Sequence, residues 1–329
     1  MSKHKTALIR LAHPMAFAAY LNEIGAPVDG YFRRQGLPAL CRDSNAFVPL
    51  GRAWALFSDA ARREGEGLAW HVGQYVGDMN LNAGLVQKLR SAPTLYKALQ
   101  RLSLMINSEA SHLKLGIIEQ GDHILFYTTG YFDLRNEPGF FESQSYQIEV
   151  YTALIHQFTG SNWKPGQLGI CAASIPKVVK QHFPDCRINL RQPFSYIAIP
   201  RSDLHLPALT GQAARPSVSA PIMTDDLSFA EALALLIRPY LPEGYPSVRF
   251  AAALADTSVR TLSRRLSACG TSYQAVVDEL RFKLARDLLR DPNTSIRDAA
   301  AATGFRDQGN FSRMFRRVGG VSPREFRKL

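Results

Sequence analysis

Apolar residues recur every three or four positions along the C-terminal part of the chain, which is the spacing of helices that bury one face. The pattern occurs twice: a short helix of small residues, a turn, and a second helix with two apolar residues four positions apart. The apolar pairs are Leu262 with Leu266 and Phe311 with Phe315. Residues four apart share a helical face, so each pair is expected to pack against the preceding helix. The repeat predicts two tandem helix-turn-helix units.

A long amphipathic helix is predicted between the two units. Apolar residues at helical spacing cover Tyr273–Leu289, namely Tyr273, Val276, Val277, Leu280, Leu284 and Leu288. Asp291-Pro292 ends the segment, because proline cannot continue a helix. Such a rigid connector would hold the two units at a fixed separation. One monomer could then occupy two adjacent major grooves of B-DNA, which lie about 34 Å apart.

The outer faces of the second helices carry side chains that can read bases. We expect base contacts from Arg260, Ser263, Arg264, Gln308, Asn310 and Arg313. Arginine matches guanine with two donors, whereas asparagine and glutamine match adenine. Four more arginines are candidates for phosphate contacts: Arg265, Arg316, Arg317 and Arg327. Gly309 stands where the first copy has Arg260, so the second unit is expected to read bases more loosely.

The alternative is a plain helical bundle whose arginines form a solvated face. Any single arginine fits that alternative, but a Ser-Arg pair recurs at matching positions, Ser263-Arg264 and Ser312-Arg313. The net charge of +11 and the pI near 9.6 favour an anionic partner, of which double-stranded DNA is the commonest. This charge is not concentrated at one end, since residues 225–329 hold 17 Lys and Arg against 12 Asp and Glu. The repeat is therefore the stronger evidence for DNA binding.

Several short motifs accompany the repeat: Ser295-Ile296, Ala299-Ala300, Gly304-Phe305-Arg306-Asp307, Phe311-Ser312-Arg313, Phe315, Gly320-Val321-Ser322-Pro323 and Phe326-Arg327. Together they resemble the C-terminal signature of AraC/XylS-type transcription regulators, over roughly residues 229–329. The resemblance implies that the helices starting near Ser258 and Gln308 enter the major groove of promoter DNA. It also implies RNA polymerase as a partner and activation as the direction of control.

The N-terminal part of the chain mixes helices and strands. Helices are predicted over residues 15–24, 50–63, 94–107 and 141–158, a hairpin over 113–119 and 123–128, and strands near 168–172 and 196–199. We expect a mixed α/β sensor domain over residues 1–206, a proline-bearing polar linker over 207–223, and an all-α DNA-binding domain over 224–329.

The N-terminal domain also carries motifs in a recurrent order: Gly84-Leu85, Ser91-Ala92-Pro93-Thr94-Leu95, Lys97-Ala98-Leu99, the hairpin, and His182-Phe183-Pro184 before Pro193-Phe194. This order resembles the arabinose-binding-type N-terminal domain of some AraC relatives. The resemblance implies a module that senses a small-molecule effector of unknown identity and can form a homodimer. A stripe on the long helix is either intramolecular core or a dimer interface: Ile148, Tyr151, Thr152, Ile155 and Phe158.

Enzyme and membrane functions find no support in the sequence. The histidines are scattered without metal-ligand spacing, so neither a catalytic site nor a metal or other cofactor is expected. The four cysteines include no Cys-x-x-Cys pair and suit reduced thiols in a cytoplasmic protein, with a disulfide switch between Cys171 and Cys186 as the alternative. The apolar run near the start is interrupted by His13-Pro14, which argues against a signal peptide, and no membrane partner is expected.

Three hypotheses follow. The first is a sequence-specific transcription regulator, an activator controlled by an effector or partner at its N-terminal domain. The second is an architectural DNA-binding protein without sequence preference or effector control, which the base-reading side chains argue against. The third is an enzyme fused to a DNA-binding tail, which the absence of a catalytic motif disfavours.

Overall fold

The structure is a computed structural model that describes residues 7–39, 41, 43, 45–79, 89–130, 134–209 and 227–328. The chain divides into two compact units. The N-terminal unit comprises Ala7–Leu37 and Leu50–Thr224, and the C-terminal unit includes Pro38–Pro49 together with Asp225–Leu329. Most of the predicted linker, and the motif Gly84-Leu85, lie outside the described residues.

The N-terminal unit begins with the short strand β1 (Leu8–Arg10), which is held to the segment after the fifth helix. The backbone N–H of Arg10 donates to the carbonyl of Glu109 at 2.8 Å. Among the described residues, five helices of the unit precede its sheet: α1 (Ala12–Glu23), α2 (Val28–Arg34), α3 (Leu50–Glu64), α4 (Leu68–Met79) and α5 (Leu95–Met105). Helix α5 begins where predicted, because the Thr94 hydroxyl accepts a hydrogen bond from the N–H of Lys97 at 3.3 Å.

The sheet of this unit contains the predicted hairpin. Strands β3 (Lys114–Gln120) and β4 (His123–Thr129) pair antiparallel around Gly121, whose φ of 58° suits a tight turn. The other strands are β5 (Gln167–Gly169), β6 (Arg187–Asn189) and β7 (Ser195–Pro200), and a short helix α7 (Lys177–His182) lies between β5 and β6. The order across the sheet is β3-β4-β7-β5-β6, with only the β5–β6 pair parallel.

Helix α6 (Phe140–Thr159) packs between the sheet and the N-terminal helices. Its Tyr151 ring meets Phe126 of β4 edge-on, with ring centroids 5.6 Å apart. The predicted stripe from Ile148 to Phe158 is buried within the unit, and Ile155 is fully enclosed. Of the two interpretations of this stripe, the structure therefore supports intramolecular core.

Where the structure describes it, the C-terminal unit is helical apart from the strand β2 (Phe47–Pro49). Its helices are α8 (Phe229–Ile237), α9 (Val248–Leu254), α10 (Val259–Ala268), α11 (Tyr273–Leu289), α12 (Ile296–Ala302), α13 (Gln308–Gly319) and α14 (Pro323–Phe326). A serine or aspartate caps the N-terminus of each of these helices, and this explains the sharp boundaries.

The segment Pro38–Pro49 packs within the C-terminal unit, although the predicted division placed all residues before 207 in one domain. Its strand β2 lies against α8 and against the turn Arg238–Glu243 that follows this helix. The carboxylate of Asp43 pairs with Arg238 at 3.1 Å, and the N–H of Ala39 donates to Glu243 at 2.8 Å. These polar contacts follow from the folded chain and have no local sequence signal.

The connector helix α11 has the predicted bounds but a different buried face. The enclosed residues are Val276, Val277, Asp278, Arg281, Ala285 and Leu289, whereas Leu280, Leu284 and Leu288 are only half-buried. The prediction was confirmed for Val276 and Val277 but missed the polar members of the face, because it admitted apolar residues alone. Asp278 and Arg281 take positions in the core, where Asp278 pairs with Arg317 and Arg281 donates to the carbonyl of Gly304.

Candidate DNA-binding surface

The first helix pair, α9 and α10, places two arginines on one exposed face. Leu262 and Leu266 are completely buried, as the repeat predicted. Arg264 lies two residues from each of them, and two residues turn a helix by about 200°, so its side chain projects from the opposite side. Arg260 is exposed on the same side. The Ser258 hydroxyl accepts from the N–H of Thr261 at 3.1 Å and fixes where α10 begins.

The second helix pair, α12 and α13, repeats this arrangement. Phe311 and Phe315 are completely buried, and Arg313 lies two residues from each on the exposed side. Asp307 caps α13 by accepting from the N–H of Asn310 at 2.7 Å. The Asn310 side chain in turn accepts a hydrogen bond from Arg313, which holds the guanidinium along the helix.

The remaining predicted base-reading residues lie at the edges of these faces. Ser263 on α10 and Gln308 at the start of α13 are exposed. Gly309 occupies the outward position that Arg260 has on α10, as the repeat indicated, and leaves this part of α13 without a side chain. Among the predicted base-reading side chains, the first helix pair therefore presents two guanidinium groups and the second presents one.

The turns of the two pairs differ in a way that the repeat did not reveal. The left-handed residue after α9 is Asp256, with a φ of 45°, and after α12 it is Gly304, with a φ of 77°. The N-terminal cap of α10, Ser258, lies two positions after Asp256, whereas the cap of α13, Asp307, lies three positions after Gly304. The repeat had matched Gly304 with Ala255, which has an ordinary negative φ. The second turn is thus one residue longer.

Arg281 of the connector joins the turn of the second pair to the rest of the unit. Its Nη2 donates to the carbonyl of Gly304 at 3.2 Å, and its guanidinium stacks over the rings of Phe305 and Tyr245 at 4.3 and 5.0 Å. Burial lowers the pKa of Arg281, but its normal value is so high that the group stays charged. This role of Arg281 was not predicted from the sequence.

The four arginines predicted to contact phosphate are all exposed, but two are also held by neighbours. Arg317 donates to the carboxylate of Asp278 on α11 at 2.6 Å, which ties α13 to the connector. Arg265 lies over the ring of Phe229 at 5.3 Å. Arg316 and Arg327 have no hydrogen-bond or ion-pair partner among the described residues, which leaves their charge available to an anion.

The surface formed by the exposed faces of α10 and α13 is chemically suited to DNA. Its central side chains are guanidinium groups with several donors and no acceptor, flanked by hydroxyl and amide groups. Over the part of the chain that the structure describes, no group of three or more His, Cys, Asp or Glu residues is placed to hold a metal ion. Nor is any described helix long and apolar enough to cross a membrane.

Comparisons with known proteins agree with this chemistry. Residues 251–329 match a helix-turn-helix domain family. The chain is 32% identical over 148 residues to the ornithine utilization regulator of Pseudomonas aeruginosa, an alignment that covers 43% of each protein. It is 24% identical over 338 residues to the HTH-type transcriptional regulator VirS of Mycobacterium tuberculosis, covering 98% of this chain and 96% of VirS. The chain thus spans less than half the length of the first of these relatives.

Among solved structures, the transcriptional regulator CdpR from Pseudomonas aeruginosa is 18% identical, with 92% of this chain and 96% of CdpR covered and a TM-score of 0.37. The sequence matches define the class: the C-terminal part of the chain is a helix-turn-helix domain of the kind found in DNA-binding regulators. In this part the chain is similar to AraC-family transcription regulators.

Proposed function

We propose that this protein is a sequence-specific transcription regulator that reads promoter DNA through two helix-turn-helix units. One observation carries the proposal. Arg264 and Arg313 occupy the same position relative to the buried pairs Leu262/Leu266 and Phe311/Phe315, each on the exposed side of a capped helix. In this proposal α10 and α13 lie in successive major grooves, and α11 sets the distance between them.

The roles of the side chains follow from their placement. Arg260, Ser263 and Arg264 would contact bases in one groove, and Gln308, Asn310 and Arg313 in the next. Arg316 and Arg327 would contact phosphates directly, since no other described residue holds them. Arg265 and Arg317 would contact phosphates while keeping their intramolecular partners, Phe229 and Asp278. Reading by α13 would be the looser of the two because Gly309 contributes no side chain.

The N-terminal unit is proposed as the control module, which senses a small molecule or a partner protein and can pair with a second copy. Activation through RNA polymerase is the direction that the resemblance to AraC/XylS-type regulators supports. A protein that controls promoters works beside the chromosome, so we place it in the cytoplasm. The competing architectural function would need no base-reading side chains, and their duplication at matched positions argues against it.

The test is competition between the cognate promoter and random DNA, with the site first located by genome-wide mapping of the tagged protein. We expect wild type to prefer the cognate site and Arg264→Ala and Arg313→Ala each to lose about 1 to 3 kcal/mol of that preference. Arg264→Ala should have the larger effect, because Arg260 and Ser263 stand beside it.

Arg290→Ala is the matched control, since Arg290 is exposed at the end of α11 and pairs with Asp287 at 3.4 Å. It should keep wild-type preference. Equal binding of wild type to cognate and random DNA would instead favour the architectural function. If both reading-face variants footprint the cognate site as wild type does, the assigned face is not the one that reads DNA.

A further inference from the structure

The N-terminal unit contains a cavity of about 150 Å³ along helix α6. Residues of α6 line it from Ser143 to Gln157, whose Cα atoms are fourteen residues and about 21 Å apart along the helix. Its other walls come from α1, α3, α4, α5 and the segment that follows α5. The space is comparable to cavities of about 150 Å³ that admit a benzene ring. It is therefore large enough for a small organic molecule.

The walls of the cavity are mainly apolar. Trp54 and Phe57 of α3, Leu102 of α5, and Val150 and Leu154 of α6 supply much of the surface. A sugar or another polyol would leave hydroxyl groups without partners against these side chains, and each buried hydroxyl without a partner costs about 1 to 3 kcal/mol. The lining thus favours a ligand with an apolar body.

One end of the cavity carries a polar network in which the negative charge of a carboxylate is balanced by a buried arginine. Glu109 is the only carboxylate among the described lining residues, and its Oε1 pairs with the buried Arg10 at 3.2 Å. Its other oxygen lies 3.5 Å from Nε2 of His13, whose Nδ1 is 3.0 Å from the Tyr146 hydroxyl. Burial raises the pKa of Tyr146, so this phenol stays protonated. The network needs no charge from a ligand.

The other end carries a cation without a matching anion. Arg90 lines the cavity and is half-buried, and its Nε donates to the Gln157 amide oxygen at 3.0 Å. No described carboxylate pairs with Arg90. Arg10 compensates the charge of Glu109, and among the described residues that line the cavity no carboxylate compensates Arg90. A half-buried guanidinium with free donors matches a carboxylate in charge and geometry.

We propose that this cavity binds a small monocarboxylic acid with an apolar body, its carboxylate on Arg90 and its body along α6. The inference rests on the proposed sensing function of the N-terminal unit and names the chemical class of its effector. Ligands with a second cation, such as a diamino acid, do not fit, because the far end of the cavity offers no free anion. Ligand binding here would stabilise the packing of α6 against α3 and α5.

The experiment is calorimetric titration of the full chain with sodium octanoate and sodium benzoate, an extended and a compact acid. Octanol and benzyl alcohol serve as neutral counterparts, and L-arabinose as a polar probe. We expect saturable one-to-one binding of at least one acid, at least about tenfold weaker binding of its alcohol, and no binding of arabinose. Thermal unfolding should shift upward with the acid that binds.

Two variants test the assignment of the site. Arg90→Gln should weaken acid binding at least about tenfold while leaving the affinity for the alcohol unchanged. Val150→Phe should fill the cavity and abolish binding of both. Arg33→Gln, an exposed arginine on α2 that does not line the cavity, is the matched control and should bind as wild type does. Circular dichroism verifies that each variant is folded.

The proposal is overturned if wild type binds neither acid at millimolar concentration, if acid and alcohol bind equally, or if Arg90→Gln binds the acid as tightly as wild type. Retardation of cognate promoter DNA is measured on the same preparations. A protein that retards this DNA but binds no acid refutes the cavity assignment and leaves the proposed regulator intact. A protein that binds the acid but does not retard this DNA refutes the proposed regulator and leaves the cavity assignment intact.

Discussion

Burial of a single residue, His112, makes the stability of the N-terminal unit depend on pH. Its ring lies edge-on to Trp54 at 6.2 Å, its two ring nitrogens are buried, and burial lowers its pKa from 6.5 to about 4. The unfolded chain therefore takes up a proton on this residue before the folded chain does. Stability should be unaffected above the ordinary value of 6.5 and should fall as the pH drops from there towards 4.

We predict that His112→Gln reduces this loss of stability in acid. One pKa unit corresponds to about 1.4 kcal/mol, and the residue is not completely enclosed, so the difference should be no more than about 3 kcal/mol. Urea unfolding at about pH 7 and at about pH 4.5 measures it. His205→Gln, which removes an exposed histidine, is the control. An equal loss of stability in wild type and His112→Gln would show that this histidine does not govern the acid response.

At the scale of elements, the turn after α12 requires glycine for two reasons, its left-handed φ and the close approach of another backbone segment. Gly304 and Gly270 both have left-handed backbones, with φ of 77° and 71°. A Cβ at Gly270 would meet open space, whereas at Gly304 it would collide with the carbonyl oxygen of Leu241. Two glycines that look alike in the sequence thus differ in their surroundings.

We predict that Gly270→Ala lowers the free energy of unfolding of the C-terminal unit by about 1 to 2 kcal/mol, the cost of a left-handed alanine. Gly304→Ala should lower it by about 3 kcal/mol or more, because backbone must also move. Urea titration of the full chain, followed by circular dichroism, compares the two variants. Similar losses would mean that the turn after α12 can shift away from Leu241 at little cost.

The same elements show what the sequence could predict. Bounds of the hairpin, of α6 and of α11 were readable because turn residues, caps and apolar spacing are local signals. The polar members of the buried face of α11 were not, since Arg281 belongs to the core through Gly304, Phe305 and Tyr245, which are more than twenty positions away in the chain. The outward positions of Arg264 and Arg313 were predictable because they depend on helical spacing alone. The cavity was not, since it depends on how five helices pack.

At the scale of the whole molecule, the described residues of the C-terminal unit come from two separate parts of the chain. Pro38–Pro49 contributes Phe47 and Val48, which are buried, and the ion pair of Asp43 with Arg238. A fragment that starts at residue 224 contains both helix pairs and all the proposed DNA-contacting residues but lacks this segment. The fragment should therefore keep DNA binding but be less stable than the C-terminal unit of the full chain.

We predict that the fragment 224–329 retards cognate DNA, with an affinity that falls steeply with salt because each neutralised phosphate adds close to one unit to the log-log slope.

The melting temperature of this fragment should rise when a peptide of sequence Pro38–Pro49 is added, since the peptide restores cover over α8. The same peptide with Asp43→Ala should raise it less, because Arg238 then lacks its carboxylate. Circular dichroism measures the melting, and gel retardation over a salt series measures the slope. A folded fragment that ignores the peptide would show that Pro38–Pro49 is dispensable, and one that binds no cognate DNA would place part of the DNA-binding function outside residues 224–329.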